Sequence, residues 1–122
     1  MRSISFILTP DQILAESKTV TRRTGWRHAK SGMLLQGVRQ AQGLKKGQTA
    51  EKLKVIRVIG VRFEPLNRVV TDPAYGAREM VLEGFPGMDP SDFVAMVVRA
   101  NDGCRPTTEV TRIEFEYERE PA

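Results

Sequence analysis

The run from Lys54 to Phe63 constrains the fold more than any other stretch of this chain. Val55, Ile56, Val58, Ile59 and Val61 give it the β-branched density that favours extended backbone. Apolar side chains at consecutive positions predict a strand covered on both faces, central in a closed or covered sheet. Gly60 predicts a bulge or a point of close approach, and Pro65 ends the strand because it has no N–H to give a ladder.

The remaining elements arrange themselves around that strand. Ser3 to Leu8 predicts a strand with Ile4, Phe6 and Leu8 on one face. Thr9-Pro10-Asp11-Gln12 then starts a short helix running to Ser17, with Thr9 as cap, Pro10 in the first turn, and Ile13 and Leu14 buried. Thr19 to Arg22 and Met33 to Arg39 predict further strands, separated by a loop from Arg23 to Gly32 that carries the sole Trp and the sole His. Asp72-Pro73 opens a helix to Glu83, stopped by Gly84, and Asp89-Pro90 opens another through Ala100 with Phe93, Met96 and Val97 on one stripe. Val110 to Tyr117 predicts a closing strand in which Ile113, Phe115 and Tyr117 alternate with Arg112, Glu114 and Glu116, and Glu118 to Ala122 is a tail. Too few βα alternations occur for a doubly wound sheet. The expectation is an α+β chain forming one domain over residues 1–122: a small curved β-barrel with about three flanking helices.

Charge separates along the sequence. Residues 1–62 hold 13 Lys and Arg against 3 Asp and Glu, residues 63–122 hold 6 against 12, and together these make the net charge of +4. Such polarity predicts one basic surface of the kind that meets nucleic acid or nucleotides, unless the halves interleave in space and neutralise one another. The single cysteine, Cys104, excludes a disulfide framework and a cysteine-based zinc cage. No apolar run has the length of a membrane span and the N-terminus has no signal-peptide core, so the expected partner is not a membrane. The expected location is the cytoplasm, or the host cytoplasm for a viral chain. No metal and no cofactor are expected. One His and one Cys far apart do not make a zinc site, and no Walker or dinucleotide glycine pattern occurs. A serine triad lacks its Gly-x-Ser-x-Gly elbow, and a Cys104–His28 dyad is a minor alternative.

The chemistry concentrates in Lys18-Thr19-Val20-Thr21-Arg22-Arg23. This segment packs an ammonium, two hydroxyls and two guanidinium groups together, which suits an anion, above all phosphate. Period-2 geometry places Lys18 and Val20 on one face and Thr19 and Thr21 on the other. If Glu83 approaches Lys18, hydrolysis becomes available: a lysine with a lowered pKa takes the proton of a neighbouring Thr, Thr19 or Thr21, and the carboxylate handles proton transfer to a leaving amine. The bland alternative for Glu83 is a helix-end glutamate facing solvent. Trp26 is a candidate for stacking a base or for packing into the core. Lys45 and Lys46 add a basic tip to the turn Gly43 to Gly47.

These motifs, taken in order, resemble the ASCH domain, a compact β-barrel group related to the PUA fold of RNA-modifying proteins. The likeness rests on Ile4-Ser5-Phe6 with its short helix, Lys18 to Arg23, the turn Gly43 to Gly47, the strand Val55 to Phe63, Glu83-Gly84-Phe85-Pro86, and the closing strand Val110 to Phe115. It covers nearly the whole chain and is similar to the small stand-alone members found in phages and prophages. The resemblance implies a barrel with helices beside a cleft, and a role in binding RNA or a nucleotide; the residues expected to make that contact are Lys18, Arg22, Arg23, Trp26, Lys45 and Lys46. One branch of small bacterial ASCH proteins hydrolyses N4-acetylcytidine with a Lys, a Thr and a Glu, which fall here on Lys18, Thr21 and Glu83. Hydrolysis of an RNA phosphodiester is a further alternative, and an acidic protein partner for the basic face a third. The chain departs from that branch in its consecutive Arg22 and Arg23, where an apolar residue usually precedes the Arg, and in the longer segment from Trp26 to Gly47.

Overall fold

The computed structural model describes residues 1–41 and 43–119, so the last three residues of the expected tail lie outside the described residues. Five strands, β1 (Arg2–Ser5), β2 (Val20–Arg23), β3 (Leu34–Val38), β4 (Lys52–Pro65) and β5 (Glu109–Tyr117), form one curled sheet in the order β1-β3-β4-β5-β2. β1 runs parallel to β3, and every other pairing is antiparallel. The Val/Ile-rich β4 takes the central place expected of it, and its register with β5 shifts between Val58 and Gly60, where a bulge was expected.

Four helices complete the fold: α1 (Pro10–Leu14), α2 (Arg68–Thr71), α3 (Pro73–Leu82) and α4 (Pro90–Ala100). Asp72 and Asp89 cap α3 and α4 as read, their carboxylates accepting from Tyr75 N and Ser91 N. Gly84 adopts a φ of +92° just past α3, the left-handed conformation that stops a helix. The additional helix, α2, is one turn long, too short to leave a periodic signal in sequence.

Two cores divide the labour. The concave side of the sheet buries Ile4, Phe6, Ile13, Leu35, Ile56, Val58, Ile113, Phe115 and Tyr117. The helices gather Leu66, Val69, Met80, Phe93, Val94, Val97, Cys104 and Val110 into a second cluster at the end of the sheet. Three expectations about facing need correcting. β4 is covered only in part: Ile56 and Val58 are buried in the first core and Glu64 is buried against Tyr75 of α3, whereas Ile59 and Phe63 are exposed. Leu8 and Leu14 are exposed as well. β1 ends at Ser5, so Leu8 lies in a turn, and α1 ends at Leu14, with only Ile13 of its single turn directed inward.

α2 and α3 meet at Gly76. A Cβ built there would lie 1.9 Å from the Val69 carbonyl oxygen. Exchanging Gly for Ala in a helix ordinarily gains about 1 kcal/mol. Here the substitution Gly76→Ala must push α2 off α3, and the expected outcome is a net loss of about 1–3 kcal/mol. Urea unfolding followed by circular dichroism measures it, and an unchanged or raised midpoint contradicts the packing described.

Candidate active site

β2 is short and lies at one edge of the sheet, yet Val20, Thr21 and Arg22 are all buried. Alternation sends Arg22 one way and Thr21 with Arg23 the other. On the Arg22 side the sheet carries a row of guanidinium groups in register, Arg22 opposite Arg112 on β5 and Arg112 opposite Arg62 on β4. Like charges placed opposite one another repel. α3 answers them with Glu79, whose Oε1 accepts from Arg22 Nη2 and, at 2.6 Å, from Arg112 Nε, while its Oε2 accepts from Arg112 Nη2 at 3.0 Å. Glu64 at the end of β4 accepts from Arg22 at 3.3 Å and from Arg62 at 3.0 Å, and Tyr75 donates its hydroxyl to Glu64 at 2.8 Å.

Glu83 closes the network. Its Oε2 accepts from Arg22 Nη1 at 2.9 Å, and its Oε1 accepts from Lys18 Nζ at 2.6 Å. Lys18 Nζ donates a second time, to the Glu83 carbonyl at 2.8 Å. Lys18 and Glu83 are 3% and 2% exposed, so the solvent-facing alternative for Glu83 does not hold. The approach is set by backbone: Thr19 N donates to Leu82 O at 2.8 Å, and the Tyr117 hydroxyl donates to the Lys18 carbonyl.

Lys18, Thr21, Arg22, Arg23 and Glu83 together line one cleft of about 150 Å³. Its polar floor faces walls from Phe6, Phe85, Phe93, Met96 and Val97, and its mouth is bordered by Ile7 and Leu8. The cleft therefore lies between β2 and the end of β1, the two free edges of the sheet. Arg23 Nε donates to Thr21 Oγ1 at 3.0 Å, and the Arg23 guanidinium stands 5.0 Å from the centre of the Phe6 ring.

Trp26, Lys45 and Lys46 are placed elsewhere. Trp26 stacks on His28 at 5.1 Å, lies under the Arg2 guanidinium and packs against the first core. Lys45 and Lys46 are exposed in the segment between β3 and β4 and do not line the cleft. The Arg22 guanidinium is buried and its Nη groups are paired with Glu64, Glu79 and Glu83. Residues that sequence reasoning missed are Glu64, Glu79, Tyr75 and Arg112, whose charges face one another only once α3 crosses the sheet. The two halves of the chain do interleave: Lys18–Glu83, Arg22–Glu79, Arg27–Glu109 and Arg57–Glu118 each join the basic half to the acidic one. Among the described residues no group of His, Cys, Asp or Glu is arranged to hold a metal ion, and no helix is long and apolar enough to cross a membrane.

Burial pushes the Lys18 ammonium below the ordinary amine value; Glu83 opposes the shift, and Arg23 and Arg22 add to it. Burial also works against the Glu79 carboxylate, but Arg112 and Arg22 outweigh it and bring Glu79 from 4.5 down to about 2. Arg22 is raised above its usual value, Glu83 and Glu79 overcoming the cost of its burial. Arg23, whose desolvation is only partly offset by Glu83, is pushed down to about 10 and stays charged at neutral pH.

Among solved structures the chain is similar to hypothetical protein PH0355, with a TM-score of 0.63 at 17% identity over 97% of this chain and 100% of that one. It is also similar to protein EF3133 from Enterococcus faecalis V583, described under the family model DUF984, with a TM-score of 0.57 at 16% identity over 89% of this chain. The chain spans 66% of that protein's length. Identities this low establish a shared curled half-barrel and nothing of function. The sequence matches no family model and no curated protein.

A carboxylate whose folded pKa is depressed contributes stability above its unfolded value and loses it as pH falls through the folded one. For Glu79 that window runs from 4.5 down to about 2. Stability should fall across it in the native chain, whereas Glu79→Gln should be less stable by about 3–5 kcal/mol at neutral pH, with a flatter acid limb. Urea titrations at about pH 7 and about pH 3 read both effects. Equal acid sensitivity in the two proteins contradicts the role given to Glu79.

Proposed function

We propose that this protein is an ASCH-type domain that takes a nucleoside or nucleotide into the cleft and hydrolyses an acyl amide on its base, as an N4-acetylcytidine amidohydrolase does. The observation that carries the reading is the buried Lys18–Glu83 contact of 2.6 Å in the wall that also presents Thr21. The fold supports it, since a curled half-barrel with helices beside a cleft is what the ASCH resemblance implies.

The hydrogen bonds support a division of labour. A neutral amine has two N–H donors and one lone pair. Lys18 Nζ meets two acceptors, both on Glu83, so its neutral form keeps the lone pair for a proton. Thr21 Oγ1 accepts from Arg23, and among the described residues its own proton has no acceptor. In the reaction Thr21 Oγ transfers that proton to Lys18 Nζ and bonds to the acyl carbon, whose C=O electron pair moves onto oxygen. Collapse breaks the C–N bond, and the leaving amine takes the proton back from Lys18, directly or through Glu83. Water then releases the acyl group from Thr21 as a carboxylic acid. The apolar walls keep bulk water from the floor, which favours the neutral amine.

Incubation with N4-acetylcytidine should yield cytidine and acetate. Thr21→Val, close in shape, and Glu83→Gln should each lower kcat by about 100- to 10,000-fold. The rate should rise with pH through the lowered pKa of Lys18, because the neutral amine is the base. A wild-type protein inert towards N4-acylated cytidines sinks the hydrolase reading.

A second reading is recognition of RNA without chemistry. The net charge of +4 and the exposed Lys45 and Lys46 favour it. RNA affinity should then fall steeply with salt and weaken on joint replacement of Lys45 and Lys46 by Ala. Affinity indifferent to both removes it. In either reading we place the protein in the cytoplasm, where its one free cysteine, buried Cys104, stays reduced.

A further inference from the structure

The buried charges around the cleft do not balance. Glu64, Glu79 and Glu83 answer Lys18, Arg22 and Arg112 inside, and Glu64 also answers Arg62 and Arg68 at the rim. No carboxylate is left for Arg23. It is half-buried and lines the cleft, and among the described residues it forms no ion pair. Glu83 acts on it through space, but the two oxygens of Glu83 are taken by Lys18 and Arg22. A desolvated cation without a counter-charge is costly unless a ligand supplies one.

The geometry of Arg23 says what kind of ligand. A guanidinium presents its N–H groups side by side in a rigid fork, matched to two oxygens on one carbon or phosphorus. One prong, Nε–H, already rests on Thr21 Oγ1 at 3.0 Å, and the Phe6 ring fixes the plane from 5.0 Å. The Nη groups have no acceptor among the described residues. An oxygen seated on the Nη prong would therefore sit next to Thr21 Oγ1, where the oxygen of a carbonyl under attack by that hydroxyl must lie.

We infer that Arg23 is the anion-holding residue of the cleft: it binds a carboxylate through its free Nη groups, and in the reaction proposed above it holds the oxygen of the acyl group undergoing attack. In that step the Thr21 Oγ–C bond forms, the carbonyl electron pair moves onto oxygen beside Arg23 Nη, and the Thr21 proton leaves for Lys18. Collapse returns the pair to the C=O bond. The released acid then offers Arg23 two oxygens, so acetate is the simplest probe of the site. Donors fixed in advance where charge develops are among the largest contributions to catalysis. Arg22 takes part indirectly, because its hold on Glu83 Oε2 keeps that oxygen from pairing with Arg23.

The part played in turnover rests on the hydrolase reading, whereas binding of the anion does not. Sodium acetate titrated into the full-length protein should shift the amide resonances of Thr21 and Arg23 saturably. Arg23→Met should weaken that binding at least tenfold while leaving the thermal midpoint close to wild type, and Arg23→Lys should recover part of it. On N4-acetylcytidine, Arg23→Met should lower kcat by about 100- to 1,000-fold with little change in KM. A wild-type protein that binds acetate through Arg23 but turns over no acylated nucleoside keeps the anion site and ends the hydrolase reading. Acetate that fails to bind, or binds Arg23→Met as well as wild type, overturns the inference whatever the activity.

Discussion

The structure depends on one bridging carboxylate. Three arginines on β2, β5 and β4 face one another across neighbouring strands, an arrangement that would drive the strands apart. Glu79 spans Arg22 and Arg112 and turns repulsion into a clamp between sheet and helix. α3 can lie only where Glu79 reaches both, and that placement carries Glu83, one turn on, to Lys18. The cleft is thus a by-product of a charge problem solved elsewhere. Residues that look redundant in a list of basic side chains have separate duties: Arg22 and Arg112 hold the helix, and Arg23 is left for the cleft.

Most of the architecture was legible because it rests on local signals. β4 announced itself by β-branched density, its bulge by Gly60, and α3 and α4 by Asp-Pro at their starts. The facing of β4 was misjudged, since alternation cannot tell a strand covered on both sides from one whose apolar residues switch faces across a bulge. Ile56 and Val58 point inward on one side of that shift, while Ile59 and Phe63 reach solvent. α2 left no mark because one turn has no period to read.

The site was legible in part, for a different reason. Lys18, Thr21, Arg22 and Arg23 lie together in sequence, and a family resemblance singled out Glu83; all five line one cleft. Glu64, Glu79, Tyr75 and Arg112 stayed hidden because the charge that selects each of them comes from a distant strand or helix. Composition misled in one respect. A basic first half and an acidic second half suggest a broad basic face, but much of that opposition is consumed in pairs such as Arg22–Glu79 and Arg57–Glu118. Among the basic side chains that line the cleft, the one without an ion pair among the described residues is Arg23.

The order β1-β3-β4-β5-β2 leaves β1 and β2 as unpaired margins of the curl, and the cleft occupies the gap between them. A barrel that closed there would gain a ladder of backbone hydrogen bonds across the place where Lys18 and Thr21 line the cleft. The gap is therefore built into the strand order itself rather than into a loop. The room inside is then shared between sheet and helix: the two strand margins bound one side of the cleft, and Phe93, Met96 and Val97 of α4 bound the other.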